Sequence, residues 1–159
     1  MTGVPLLSVE HLTTVFDTPR GPVPAVDDVS FAIRAGETLG LVGESGCGKS
    51  ITALSIMRLV QPPGRIASGS LLFKGRDLAA LDESAMRAVR GAEIALIFQE
   101  PATALNPVFT IGDQVGEAVR VHGRATRRDA RLKAIALLDT VRIPNAAARA
   151  SDYPHQLSG

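Results

Sequence analysis

The run Gly43-Glu44-Ser45-Gly46-Cys47-Gly48-Lys49-Ser50 constrains this chain more than any other feature. It has the form Gly-x-x-x-x-Gly-Lys-Ser. A short apolar run, residues 38–42, precedes it. After it comes a stretch with no helix breaker, residues 49–60, apolar at Ile51, Leu54, Ile56, Met57 and Leu59. That order predicts a buried strand, a loop and a helix. Glycines at 43, 46 and 48 let the backbone turn its N–H groups inward as an anion nest. The helix starting near Lys49 aims its positive end at the same point. In such a loop Lys49 reaches the outer phosphates, and the Ser50 hydroxyl is placed to bind Mg²⁺. A shuffled chain of this composition would show the pattern roughly 0.3% of the time, so a chance glycine-rich turn is set aside. Residues 43–51 are read as a phosphate-binding loop. Ile51 stands where many such loops carry Thr or Ser, and little effect is expected because Ser50 supplies the metal ligand.

The rest of the chain predicts an α/β domain. Residues 7–16 and 26–33 read as strands, with a Pro/Gly-rich loop at 18–24 between them. In the second strand Val26, Val29, Phe31 and Ile33 form the apolar set. Pro62-Pro63-Gly64 stops the helix that follows the loop, and residues 69–73 and 94–98 read as further strands. Asp82 caps a helix to about Arg90. Residues 111–122 and 127–141 are helical, with Thr110 and Thr126 as caps and Asp three residues on. A net charge of +1 excludes nucleic-acid binding by bulk electrostatics. The single cysteine, Cys47, cannot form an internal disulfide, which fits a reducing compartment. Its place in the loop gives it a backbone role; a helix N-terminus that makes its thiol alkylatable is the alternative. The opening Met-Thr-Gly-Val-Pro shows no signal peptide, and no apolar stretch approaches the ~20 residues of a membrane span.

Downstream motifs narrow the reading. Ile97-Phe98-Gln99-Glu100-Pro101 and Leu105-Asn106-Pro107-Val108-Phe109-Thr110-Ile111-Gly112 resemble the glutamine loop of ABC transporter ATPases. More narrowly, they resemble those of oligopeptide/dipeptide (peptide/nickel) importers. Tyr153-Pro154-His155-Gln156-Leu157-Ser158-Gly159 resembles the start of the ABC signature with the lead-in of that subgroup. Leu7-Ser8-Val9-Glu10, Phe16 and the run from Ala25 to Phe31 match the opening. The resemblance implies a RecA-like P-loop core with an antiparallel β-subdomain over residues 1–99, and the start of a helical subdomain over 100–159. It implies ATP and Mg²⁺ as cofactors, with Gln99 as a second Mg²⁺ ligand and sensor of the γ-phosphate. Phe16 matches the aromatic position that stacks on adenine; a core aromatic on a strand is the competing reading. Ser158 and Gly159 match signature positions that bind the γ-phosphate of a second ATPase subunit. Residues 107–115 fall where the family docks its membrane permease subunits, with a solute-binding protein as an indirect partner. The implied location is the cytoplasmic face of the inner membrane, as a peripheral subunit.

The resemblance also marks what these 159 residues do not contain. The remainder of the signature, the Walker B strand with its aspartate and catalytic glutamate, and the switch histidine have no counterpart here; neither His122 nor His155 matches the last. Binding of the phosphates without cleavage is therefore expected of the chain by itself. In the family fold the Walker B strand lies between the strand before the loop and the strand ending at Gln99, so unpaired edges are expected at both. A catalytically incompetent nucleotide-binding module and a soluble non-transport ABC ATPase are the alternatives. A small-molecule kinase is disfavoured, since nothing after the loop resembles an acceptor-binding lid.

Overall fold

A computed structural model describes residues 4–98, 104–123 and 125–157. One compact unit ends at Arg90 and a second begins at Gly91. In the first, β1 (Leu7–Thr18), β2 (Gly21–Ile33), β3 (Gly64–Phe73) and β4 (Arg76–Asp77) form an antiparallel sheet in the order β2-β1-β3-β4. The loop expected at 18–24 is instead a tight hairpin. Thr18 pairs with Gly21, and Pro22 and Pro24 sit within β2 opposite Asp17 and Val15. Proline is tolerated there because β2 is an edge strand. The three-residue step from Val26 to Val29 also finds its cause. Asp28 (φ 50°) and His11 (φ 52°) both take left-handed backbone at register shifts of the β1–β2 ladder. Their side chains meet at 2.6 Å, and the apolar set returns to one face beyond the irregularity.

Helix α1 (Lys49–Ile56) is shorter than the expected 49–60. It ends before the prolines because Arg58 turns left-handed (φ 51°). The Leu59 amide then donates to the Leu54 carbonyl at 2.8 Å and the Arg58 amide to Ser55 at 2.9 Å, the paired closure of a Schellman ending. α2 (Glu83–Val89) starts where expected, the Asp82 carboxylate accepting from the Ala85 amide at 2.7 Å. The core between sheet and helices is made of Val9, Leu12, Leu71, Leu78, Met86 and Val89, each at most 1% exposed. Burying such side chains contributes on the order of 1.5–3 kcal/mol apiece.

Arg90 ties these helices together, and nothing in the sequence pattern announced it. Its Nε donates to the Met57 carbonyl at 2.8 Å, Nη2 to the Arg58 carbonyl at 3.0 Å and Nη1 to Glu83 at 2.6 Å. The side chain is only 17% exposed. The hydrogen bond from Arg90 holds the Glu83 carboxyl below its usual pKa. Thus the open carbonyls at the end of α1 are closed by a planar fork that an ammonium cannot copy.

In the second unit α3 (Ile111–Gly123) and α4 (Arg127–Thr140) are capped as their sequences predict. The Thr110 and Thr126 hydroxyls each accept the amide three residues on at 3.2 Å. α5 (Ala146–Arg149) and a 3₁₀ turn (Pro154–Gln156) follow. Ile111, Leu138, Ala146 and Ala150 form its core, with Val115, Ile135, Ile143 and Leu157 packed against it. The Ile111 and Gly112 amides, orphans of the first helical turn, donate to the Asp152 and Ala150 carbonyls at 2.9 and 2.8 Å.

The strands expected at 38–42 and 94–98 are not formed. Among the described residues neither segment joins a ladder, and only Ile94 is bridged. Val42 is 93% exposed and Ile97 92%. Apolar, β-branched composition makes a segment fit a sheet, but a strand exists only where a neighbour completes its hydrogen bonds. Two predictions follow from this architecture. Amides of residues 39–42 should exchange with solvent at least about a hundredfold faster than those of Val9 and Leu71; equal protection in a hydrogen-exchange experiment would contradict the reading. Replacing Arg90 by Lys should lose two of the three fork bonds, about 1–3 kcal/mol, and lower the melting temperature by about 5–10 °C. An unchanged melt would show that the fork is dispensable.

Candidate functional site

The Gly43–Ser50 loop is built by the backbone. Gly46 (φ 86°) and Gly48 (φ 92°) take the left-handed conformation that side chains resist. Gly48 is constrained twice over, since a side chain there would also run into the Ala25 carbonyl and Val26 of β2. Gly48 also caps α1, with no side chain bonded to the cap and no acidic residue in the first turn. The positive end of the helix therefore faces the loop without an internal anion to neutralise it. The far end of α1 is held by a buried hydroxyl pair, Thr14 Oγ1 to Ser55 Oγ at 2.8 Å, with Ser55 donating on to the Ile51 carbonyl at 2.7 Å.

Lys49 lies across this loop. Its Nζ donates to the Gly43 and Glu44 carbonyls at 2.7 and 2.6 Å and stands 3.4 Å from Cys47 Sγ. The Cys47 amide donates to the Glu44 carbonyl at 3.3 Å. Glu44, Ser45 and Ser50 are exposed, and Cys47 is an exposed free thiol. Ile51 is partly buried. The donor set fits a polyphosphate with a cation beside it: left-handed glycines, an uncapped helix start, one ammonium, and a serine hydroxyl at the first turn. A cavity of about 360 Å³ adjoins the loop, walled by Ala25, Val26, Leu41 and Val42 and reached by Lys49 and Thr52. Sequence reading did not mark Ala25 and Val26 as part of the site. The signal lay in Gly48, whose missing side chain makes room for them.

Phe16 is partly buried on β1, opposite Val23 of β2 and Gly64 of β3. Its ring lies close above Gly64, where any side chain would strike it, and Val60 closes on the same glycine. Val23 lies two residues before Ala25 on β2. Gln99, Ser158 and Gly159 lie outside the described residues. Among the described residues, no group of three His, Cys, Asp or Glu side chains could hold a metal by itself. Of the two expected cation ligands, Ser50 is the one within the described residues.

Over residues 26–159 the sequence matches the family described as ABC transporter. The chain belongs to this family. It is 53% identical over 165 residues to a protein of Brucella abortus with the provisional name peptide import ATP-binding protein, and 52% identical over 165 residues to one of the same name in Brucella ovis. Each alignment covers all of this chain and 49% of the relative, so the chain spans about half the length of the curated relatives it matches. Among solved structures, a dimeric ATP-binding cassette, MJ0796, in a post-hydrolysis state bound to ADP and Pi, superposes with a TM-score of 0.81. At 22% identity, over 96% of this chain and 63% of that one, the likeness is one of fold. The mixed α/β architecture with its antiparallel sheet is accordingly that of an ABC cassette, as the motifs implied. Replacing Gly48 by Ala in this ABC chain should cost about 1–3 kcal/mol from left-handed strain, with more from displacing β2. A urea-unfolding midpoint indistinguishable from that of the unsubstituted chain would refute the close approach.

Proposed function

We propose that the Gly43–Ser50 loop holds the phosphates of ATP, and that the chain is part of the ATP-binding subunit of a bacterial peptide importer. The observation that carries this reading is the Lys49 ammonium held across a left-handed glycine loop at the uncapped start of α1. Backbone amides of residues 46–50 would bind the phosphate oxygens, and Lys49 would neutralise charge at the β- and γ-positions. Ser50, with Gln99, would hold Mg²⁺, which when bound withdraws charge from the bridging phosphate oxygens. Phe16 would stack on the adenine. In this reading residues 1–99 serve as ATP-binding core and β-subdomain and residues 100–159 as helical subdomain.

The family and the names of its relatives support peptide import as the work of the whole protein, with closure of two ATPase subunits driving membrane partners. Ser158 and Gly159 would face the nucleotide of the second subunit. For the permease contact the supporting feature is the loop before α3. Gln114 accepts from the Asn106 amide at 2.8 Å and donates to the Asn106 and Phe109 carbonyls at 2.9 and 3.0 Å. The braced loop leaves Val108 and Phe109 exposed. Peripheral attachment at the cytoplasmic face fits a chain in which no described helix is long and apolar enough to cross a membrane.

Titration with a fluorescent ATP analogue tests the site. Lys49→Ala should weaken binding at least about tenfold, and Ser50→Ala should remove the strengthening by Mg²⁺. Undiminished, Mg²⁺-dependent binding in both variants would end the proposal. The 159 residues alone should release phosphate negligibly; steady release abolished by Lys49→Ala would show that they hold a complete catalytic set.

A further inference from the structure

Between α3 and α4 lies a cleft of about 290 Å³, room for about ten waters at ~30 Å³ each. Gly112 and Gly116, four residues apart on one face of α3, contribute no side chains to it, and Ala130 of α4 faces Gly116. The walls are cationic. Arg120 continues the same four-residue spacing on α3, while Arg127 and Arg131 stand four apart on α4. Like charges at that spacing repel, and here two helices bring three of them to one small space.

The nearby carboxylates do not pair with them. Asp113 also lines the cleft, its Oδ2 accepting from the neutral Thr110 hydroxyl at 2.8 Å, so the lining sets three guanidinium charges against one carboxylate. Asp129 likewise accepts from Thr126 at 2.7 Å. Among the described residues, no carboxylate comes within ion-pair distance of Arg120, Arg127 or Arg131. Arg131 is steadied by its Nη2 donating to Ser151 Oγ at 2.9 Å, which leaves its other donors open. From Arg120 to Lys133 the sequence holds six basic residues and one acidic, so the local field is positive although the chain as a whole is near neutral. We infer that this cleft is an oxyanion site for a phosphate group, bound by the guanidinium forks of Arg120, Arg127 and Arg131 over a glycine floor. A guanidinium suits this ligand because its parallel N–H donors match two phosphate oxygens. The group could come from a free phosphate compound or from an anionic phospholipid headgroup, and the chemistry is shared. The site belongs to the second unit and the nucleotide loop to the first, and its existence does not rest on the function proposed for that loop.

The test uses the ¹⁵N-labelled chain titrated with inorganic phosphate. The Gly112 and Gly116 amide resonances should shift saturably, which separates this cleft from the loop reported by Gly46 and Gly48. The double variant Arg127→Ala, Arg131→Ala should bind at least about tenfold more weakly, whereas Arg20→Ala, which removes a charge from the first unit, should bind as before. Should the alanine pair disturb folding, Arg127→Lys, Arg131→Lys keeps both charges and the helix but loses the forks, and it should still bind measurably more weakly. Co-sedimentation with phosphatidylglycerol vesicles, against phosphatidylcholine as control, distinguishes the sources. Capture lost in the double variant identifies a headgroup, and phosphate binding without capture identifies a soluble phosphate. Unmoved glycine resonances at saturating phosphate, or equal affinity in both double variants and Arg20→Ala, would overturn the inference.

Discussion

Everything proposed for the loop depends on where α1 is held, and an eight-residue helix cannot hold itself. Its own hydrogen bonds barely repay nucleation in water. Position comes from three contacts spaced along it. At the start Gly48 lies against the Ala25 backbone of β2; in the last turn Ser55 shares a buried hydroxyl bond with Thr14 of β1; just past the end Arg90 binds the Met57 and Arg58 carbonyls. The first two fasten the helix to adjacent strands, so the loop inherits the rigidity of the sheet. The third closes the helix terminus against α2. Each contact is polar or backbone in nature, which fixes direction in a way that apolar packing alone does not.

The legibility of this chain follows the range of the forces involved. Local signals read well: Asp82, Thr110 and Thr126 marked their helices, and the glycine pattern marked the loop, because caps and left-handed turns are decided within a few residues. Boundaries set by partners read poorly. The proline-containing strand 21–24 was hidden because its tolerance comes from being at a sheet edge. The early end of α1 was hidden because Arg58 turns left-handed where Arg90, thirty-two residues on, receives the freed carbonyls. Segments 38–42 and 94–98 have the composition of strands, yet strand pairing requires a neighbour that the described residues do not provide.

The site divides in the same way. Residues 43–51 were legible because phosphate recognition is mostly backbone geometry, and glycine spacing records it. Ala25 and Val26 were not, since ordinary residues abutting a glycine leave no mark of their own. Gln114 is intermediate: its place beside a Thr-capped helix start was visible, but not its bonds to Asn106 and Phe109, which depend on how the preceding loop folds back.

The carbonyl bonds of Lys49 have a consequence for how that residue is studied. Because the ammonium ties Lys49 back to the Gly43 and Glu44 carbonyls as well as offering charge, it is a strut of the loop it serves. Its removal would free the intervening glycine-rich backbone to sample many conformations, and binding would then have to order that backbone again. A deficit measured at one temperature merges the missing charge with this added disorder. Calorimetry would part them: the first alters mainly the heat of binding, whereas the second adds an unfavourable entropy that grows in weight as the temperature rises.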